Sequence, residues 1–307
     1  VYQRWVIHDD SNYLFSVWWI GIHKESISKK EIHISSWAGD SPDRRKNDSL
    51  NIEDEFGRVP YRALSQLNKS EGMAPKRLEQ SMHKALEALA CDKGDIDELV
   101  SDMLNIEREV LPNSLSAEQV DAISLAISAF EQKAGMILAD ETGFGKGRIL
   151  ASLAIIGLKL NKKVIFFTEK AQLFTDFFRD ITDVINLDSV DIMPTVLHGT
   201  AKIYDQKGNI IKKSLTKTKF DEMLRTPDWQ EGEDKLIMST YSQINRPREG
   251  NAKINWLVDR IKDGNCWILL DEAHNAAGDS NISENLNTLL EYSEGVLYSS
   301  ATFAKSE

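Results

Sequence analysis

The sequence predicts an α/β fold: a mostly parallel central sheet, preceded by an α-helical hairpin and an irregular N-terminal segment. Three observations predict it. Short, nearly continuous apolar runs recur between residues 136 and 299, and helical stretches separate most of them. A glycine loop stands directly between the first run and the helix that follows. Continuous apolar runs mark strands buried on both faces, as parallel strands are. Their alternation with helices implies right-handed crossovers.

Residues 1–58 read as an N-terminal segment, partly linker. Residues 1–22 are aromatic-rich, with Trp5, Trp18 and Trp19, and suit one or two strands. Residues 23–56 turn polar around "AGDSPDRRKNDSLNIEDEF", a loop or linker composition. Residues 59–115 read as a helical lead-in. From Pro75, the residues Leu78, Met82, Ala85, Leu86 and Leu89 share one helical face. Gly94 can end that helix and Asp95 can cap a second one, carrying Ile96, Leu99, Met103 and Leu104. Residues 116–307 form the α/β lobe. Its predicted strands are Met136–Ala139, Val164–Thr168, Leu236–Ser239, Trp267–Leu270 and Val296–Ser299.

Bulk properties narrow the function. The longest apolar run, Tyr13–Ile22, is half of the ~20 residues that a membrane span needs. It holds Ser16 and Gly21 and has no small-residue cleavage site after it, which argues against a signal peptide. Neither a membrane partner nor a secreted product is expected. Cys91 and Cys266 are too few for a disulfide framework or a four-ligand zinc site. Both are expected to be small buried thiols in a reducing compartment. The formal charge of -11 rules out a whole-protein attraction to nucleic acid, so any such binding needs a local basic strip. A chain beginning at Val1 reads as a fragment or processed product.

Polar motifs follow the predicted strands, where ligands bind in such sheets. "DETGFGKGR" (Asp140–Arg148) has the strand–loop–helix setting of a phosphate-binding loop. Backbone N–H groups from Gly143 through Gly145 to Gly147 would face phosphates at the helix N-terminus. Lys146 would pair with the β- and γ-phosphates. The usual loop reads G-K-[ST], and its hydroxyl holds Mg²⁺; here Gly147 stands in that place. Thr142 could supply a substitute hydroxyl, and Arg148 adds a charge for the nucleotide or a neighbouring lobe.

"WILLDEAHNAAG" places Asp271 and Glu272 at the end of a buried strand. Two carboxylates there repel unless a cation lies between them. A Mg²⁺-nucleotide supplies it: Asp271 would hold the metal and Glu272 would activate the attacking water. His274 either links this motif to the next or fills the loop. In "YSSATF", Ser300 and Thr302 can bond to the acidic motif and sense its state. Gln119 can read an adenine edge with its amide; with Ser116 it also spells a capping box. Thr168 and Lys170 end one strand, and Thr240 and Tyr241 follow another. They could contact nucleic-acid phosphates or be ordinary strand-end polar residues.

This motif order resembles the first RecA-like lobe of superfamily 2 helicases and translocases. Within these, "SLSAEQVDAISLAI", "GMILADETGFGKGR", "VIFFTEKAQLFTDFFRDI", "IMSTYSQIN", "ILLDEAHNAAG" and "YSSATFAK" resemble the Strawberry notch family. The resemblance spans about Val59 to Lys305, and that family's loop also reads G-K-G-R. It implies a RecA-like P-loop ATPase with a DEAH box, using ATP and Mg²⁺ and acting on nucleic acid or nucleoprotein, DNA before RNA. It further implies an intracellular protein, cytoplasmic in a bacterium and nuclear in a eukaryote. In such enzymes a second RecA-like lobe carries an arginine finger; these residues do not include it. The alternative expectation is a nucleotide-gated scaffold that binds ATP with little hydrolysis.

Overall fold

The computed structural model describes residues 22–23, 58–68, 70, 72–139, 145–185, 192–226, 235–277 and 280–300. The expectations for residues 1–21 and 24–57 lie outside them. In chain order the elements are β1 (Ile22–His23), β2 (Arg58–Pro60), β3 (Met73–Pro75), α1 (Lys76–Lys93), α2 (Ile96–Leu104) and α3 (Ala117–Glu131). Then come β4 (Ala134–Leu138), α4 (Lys146–Lys159), β5 (Lys163–Thr168), α5 (Leu173–Val184), β6 (Thr195–Leu197), β7 (Lys202–Tyr204) and β8 (Ile210–Lys213). The last are α6 (Lys217–Arg225), β9 (Leu236–Thr240), α7 (Ala252–Ile261), β10 (Cys266–Leu270), α8 (Asn281–Leu290) and β11 (Gly295–Ser299).

The central sheet has the order β1-β4-β11-β10-β5-β9-β6. All its pairs are parallel except β1 with β4. Each inner strand is apolar along its length because helices cover both faces. In β5, Val164 and Phe166 enter the core shared with α1 to α5, while Ile165 and Phe167 enter the core shared with α6, α7 and α8. Successive side chains of a strand point to opposite faces, so two cores need an uninterrupted run.

The helical hairpin is built as its sequence suggests. Gly94 turns the chain at φ +85°, and the Asp95 carboxylate accepts from the N–H groups of Asp97 and Glu98 to cap α2. Helix α3 is buried around nearly its whole girth, between the hairpin and the sheet. That explains its apolar "VDAISLAISAF". Asp121 on α3 is fully buried and ties residues 61–65 to the lobe. It accepts from Tyr61 Oη at 2.7 Å, Leu64 N at 3.0 Å and Ser65 N at 2.9 Å. Removing it strands three donors. Asp121→Ala is therefore expected to lower the stability to urea by about 2–4 kcal/mol, and a melt matching the parent would contradict this.

Four local features depart from expectation. The lead-in begins with the β2–β3 hairpin before its helices. β6 has three residues, too few to show a period. β7 and β8 form a separate hairpin whose turn is held by Asp205, which accepts from Lys207 N and Asn209 N. Cys91 is exposed, on the outer side of α1, whereas Cys266 is buried in β10. No helix among the described residues is long and apolar enough to cross a membrane.

Candidate functional site

Parallel pairing brings the motif-bearing strand ends to one edge. Ser299 lies opposite Leu138, Leu270 opposite Tyr298 and Phe167, and Thr168 opposite Thr240. The residues following β4, β11, β10 and β5 thus emerge side by side.

Thr142 and Gly143 lie outside the described residues. Gly145 caps α4 at φ +72°, a backbone region that disfavours side chains. A Cβ there would also stand 2.3 Å from Gln119 Nε2. Lys146 opens α4 at the loop. Gln119 forms the capping box that its sequence spells and also reaches the glycine loop. Its Oε1 accepts from Ser116 N at 2.9 Å, Ser116 Oγ accepts from Gln119 N at 3.3 Å, and its Nε2 donates to Gly145 O at 3.2 Å. One amide closes the capping box and steadies the glycine loop.

Gly147 abuts a residue that the sequence did not single out. A Cβ at Gly147 would lie 2.1 Å from Asp180 Oδ2, on α5. Arg148 turns away from the loop: Nη1 donates to Ser114 O at 2.9 Å, and Nη2 lies 3.7 Å from Asp183 Oδ2. Its guanidinium is engaged on the flank of α5. Direct reach to a nucleotide would require releasing those contacts.

The acidic motif is held from below. Thr168 Oγ1 donates to Asp271 Oδ2 at 3.0 Å, and Tyr241 Oη donates to the Asp271 carbonyl at 2.8 Å. Thr168, Thr240 and Tyr241 are buried, and Thr240 Oγ1 lies 2.9 Å from Ser242 Oγ. Their hydroxyls are thus engaged inside the fold. Lys170 is exposed, 3.5 Å from Glu169. The chain then kinks: Glu272 has φ 50° and ψ 49°, a left-handed conformation rare for a non-glycine residue. Asn275, unremarked in the sequence, steadies the kink by donating from its N and Nδ2 to the Glu272 carbonyl at 3.0 and 3.2 Å. Glu272 Oε2 lies 3.3 Å from His274 Nδ1, which lies 2.9 Å from Ser300 Oγ. His274 therefore links the two motifs. Thr302 lies outside the described residues.

Burial pushes the Asp271 carboxyl up to about 6; the Thr168 hydrogen bond opposes this, Glu272 adds to it, and Lys146 opposes it. Two like-charged, partly buried carboxylates at this sheet edge suit a cation brought with phosphates. The donor set fits Mg²⁺ for the same reason. Among the described residues no group of three or more metal-ligating side chains occurs, and Mg²⁺ on a nucleotide uses one or two carboxylates, phosphates and water. Asp271 would be such a carboxylate.

The raised value has a consequence for stability. An Asp whose folded value exceeds its unfolded 3.8 favours the folded state most when protonated. Its contribution therefore declines as pH rises from 3.8 through about 6. Asp271→Asn, neutral at every pH, is expected to flatten that decline and to stabilise the nucleotide-free chain by about 1–3 kcal/mol at pH 8. Thermal melts of both proteins from pH 4 to pH 8 check it; parallel curves would contradict it.

Residues 95–304 match the family described as P-loop containing NTP hydrolase pore-1. No curated protein matches the chain. Among solved structures, the Sulfolobus solfataricus SWI2/SNF2 ATPase core in complex with dsDNA is 15% identical, over 60% of this chain and 31% of that one, with a TM-score of 0.39. A nuclease-deletion mutant of the Type ISP restriction-modification enzyme LlaGI, in complex with a DNA substrate mimic, is 21% identical over 61% and 15%, with a TM-score of 0.38. An XPD helicase is 18% identical over 53% and 33%, with a TM-score of 0.32. The chain spans a third or less of the length of each.

Proposed function

This chain belongs to the P-loop containing NTP hydrolase pore-1 family, and we propose that it is the ATP-binding and hydrolysing lobe of a Strawberry notch-like superfamily 2 helicase or translocase. The carrying observation is the convergence of Lys146, Asp271, Glu272, His274 and Ser300 on one sheet edge, with Ser300 N bonded to Leu138 O at 3.1 Å beside the glycine loop.

In this reading the backbone at Gly145 and Gly147 and the Lys146 ammonium bind the phosphates, Gln119 steadies that backbone through Gly145 O, and a contact from Gln119 to adenine would require its amide to change partners. Mg²⁺, when bound with the nucleotide, neutralises phosphate charge. Asp271 would hold it, positioned by Thr168 and Tyr241. Glu272, 3.3 Å from His274, orients the attacking water and accepts its proton. His274 and Ser300 relay the state of the acidic motif to the strand beside it. Thr142, Gly143 and Thr302 take the loop and coupling roles of the matching family motifs. An arginine finger, worth about 10³–10⁵ in rate, would come from a second RecA-like lobe.

A nucleic-acid partner is supported by one local feature. Residues 202–219 carry six lysines and one aspartate in a chain of net charge -11. Lys202, Lys207, Lys213, Lys217 and Lys219 are exposed there, with Tyr204 among them. Such a strip suits a phosphate backbone, and DNA is the partner we favour; Lys170 is a further candidate contact.

Gly147 supports a second reading, a scaffold that binds ATP with little hydrolysis. Single-turnover phosphate release from labelled ATP, with the chain in excess, separates the two. The motor lobe is expected to release phosphate slowly, with little stimulation by duplex DNA or RNA, because stimulation requires closing one lobe on another. The scaffold releases none above buffer. Failure to bind ATP overturns both.

A further inference from the structure

The G-K-G loop lacks the hydroxyl that usually follows its lysine, yet the space is not vacant. A serine or threonine at Gly147 would carry its oxygen about 1.4 Å from Cβ, by ordinary C–O bond length. Asp180 Oδ2 already lies 2.1 Å from where that Cβ would be. An oxygen thus lies within about 3.5 Å of any hydroxyl that position 147 could carry, delivered by α5 rather than by α4. Resting on the nucleotide-site reading above, we propose that Asp180 replaces the loop hydroxyl and would serve as a second protein oxygen for the Mg²⁺ of the bound nucleotide.

The neighbourhood agrees with this role. Asp180 is partly buried. Burial raises its carboxyl above the ordinary range, Arg179 and Arg148 oppose that, and Asp183 and Asp176 add to it. Arg148, the cation at the loop, is directed to Ser114 and Asp183. The carboxylate stands at the start of α4, against Gly147. Two carboxylates, phosphate oxygens and water form an ordinary Mg²⁺ set. The arrangement also explains why position 147 is glycine: any side chain there must displace Asp180. The competing role is structural, a negative charge complementing the helix N-terminus.

Calorimetry of ATP binding, in saturating Mg²⁺ and in EDTA, separates the two roles. In the parent chain Mg²⁺ should strengthen ATP binding. Asp180→Asn, nearly isosteric, should lose about tenfold in affinity in Mg²⁺, and in EDTA it should bind ATP no more weakly than the parent, because it removes a negative charge from beside the phosphates. Spin resonance of Mn²⁺ in the ATP complex should change in parallel. The double variant Gly147→Ser with Asp180→Ala rebuilds the usual loop in the vacated space and should recover most of the Mg²⁺ effect. Gly147→Ser alone should not. A purely structural Asp180 would shift the melting temperature of Asp180→Asn and leave its Mg²⁺ strengthening at the parent's value, and that result would overturn the proposal while leaving the nucleotide site intact. A parent chain that binds no ATP would overturn the nucleotide-site reading itself.

Discussion

Glu272→Gln is expected to reduce single-turnover ATP hydrolysis by about 10²–10⁴, the usual contribution of a positioned general base, with ATP affinity nearly unchanged. The reasoning begins at the backbone. Glu272 leaves β10 through a left-handed turn, an arrangement that costs about 1–3 kcal/mol for such a residue and persists only when its surroundings impose it. Asn275 imposes it from one side through the Glu272 carbonyl. His274 stands 3.3 Å from the carboxylate on the other. Glutamine preserves the shape and can still meet His274, so binding and folding should survive. Its amide cannot take a proton from water. Rapid-quench measurement of phosphate release checks this, and a variant that releases phosphate at the parent's rate would remove Glu272 from the chemistry.

The edge on which this residue sits was largely legible in the sequence. The runs "VIFFT", "LIMS" and "WILL" fall in β5, β9 and β10, because a strand buried on both faces has no polar alternation to confuse the signal. The Ser116–Gln119 capping box was equally legible, since its atoms lie within one helical turn. The β6 strand was not, because three residues carry no period and its partner β9 lies about forty positions away. Asp180 was hidden for a similar reason. Nothing in "FFRDITDV" marks one aspartate over another; only the packing of α5 against α4 brings it to Gly147. Thr168 and Tyr241 could be read as strand-end polar residues, but that both bond to Asp271 depends on the β5–β10 register and on the turn after β9.

The second large effect is expected at Lys146. It opens α4 beside the loop, near enough to Asp271 for its charge to oppose in part the upward push of burial on that carboxyl. A phosphate contact from this ammonium is charge-assisted and worth about 1.5–3 kcal/mol. Alanine removes the charge and keeps a good helix former at the first position of α4, so the fold should be little affected. The central claim, that the sheet edge between β4 and β10 binds a nucleotide, is tested most directly by isothermal titration of ATP with Mg²⁺ into the parent chain and into Lys146→Ala. The account predicts saturable binding by the parent and an affinity lower by about 10- to 150-fold in the variant. Equal affinities in the two proteins would contradict it.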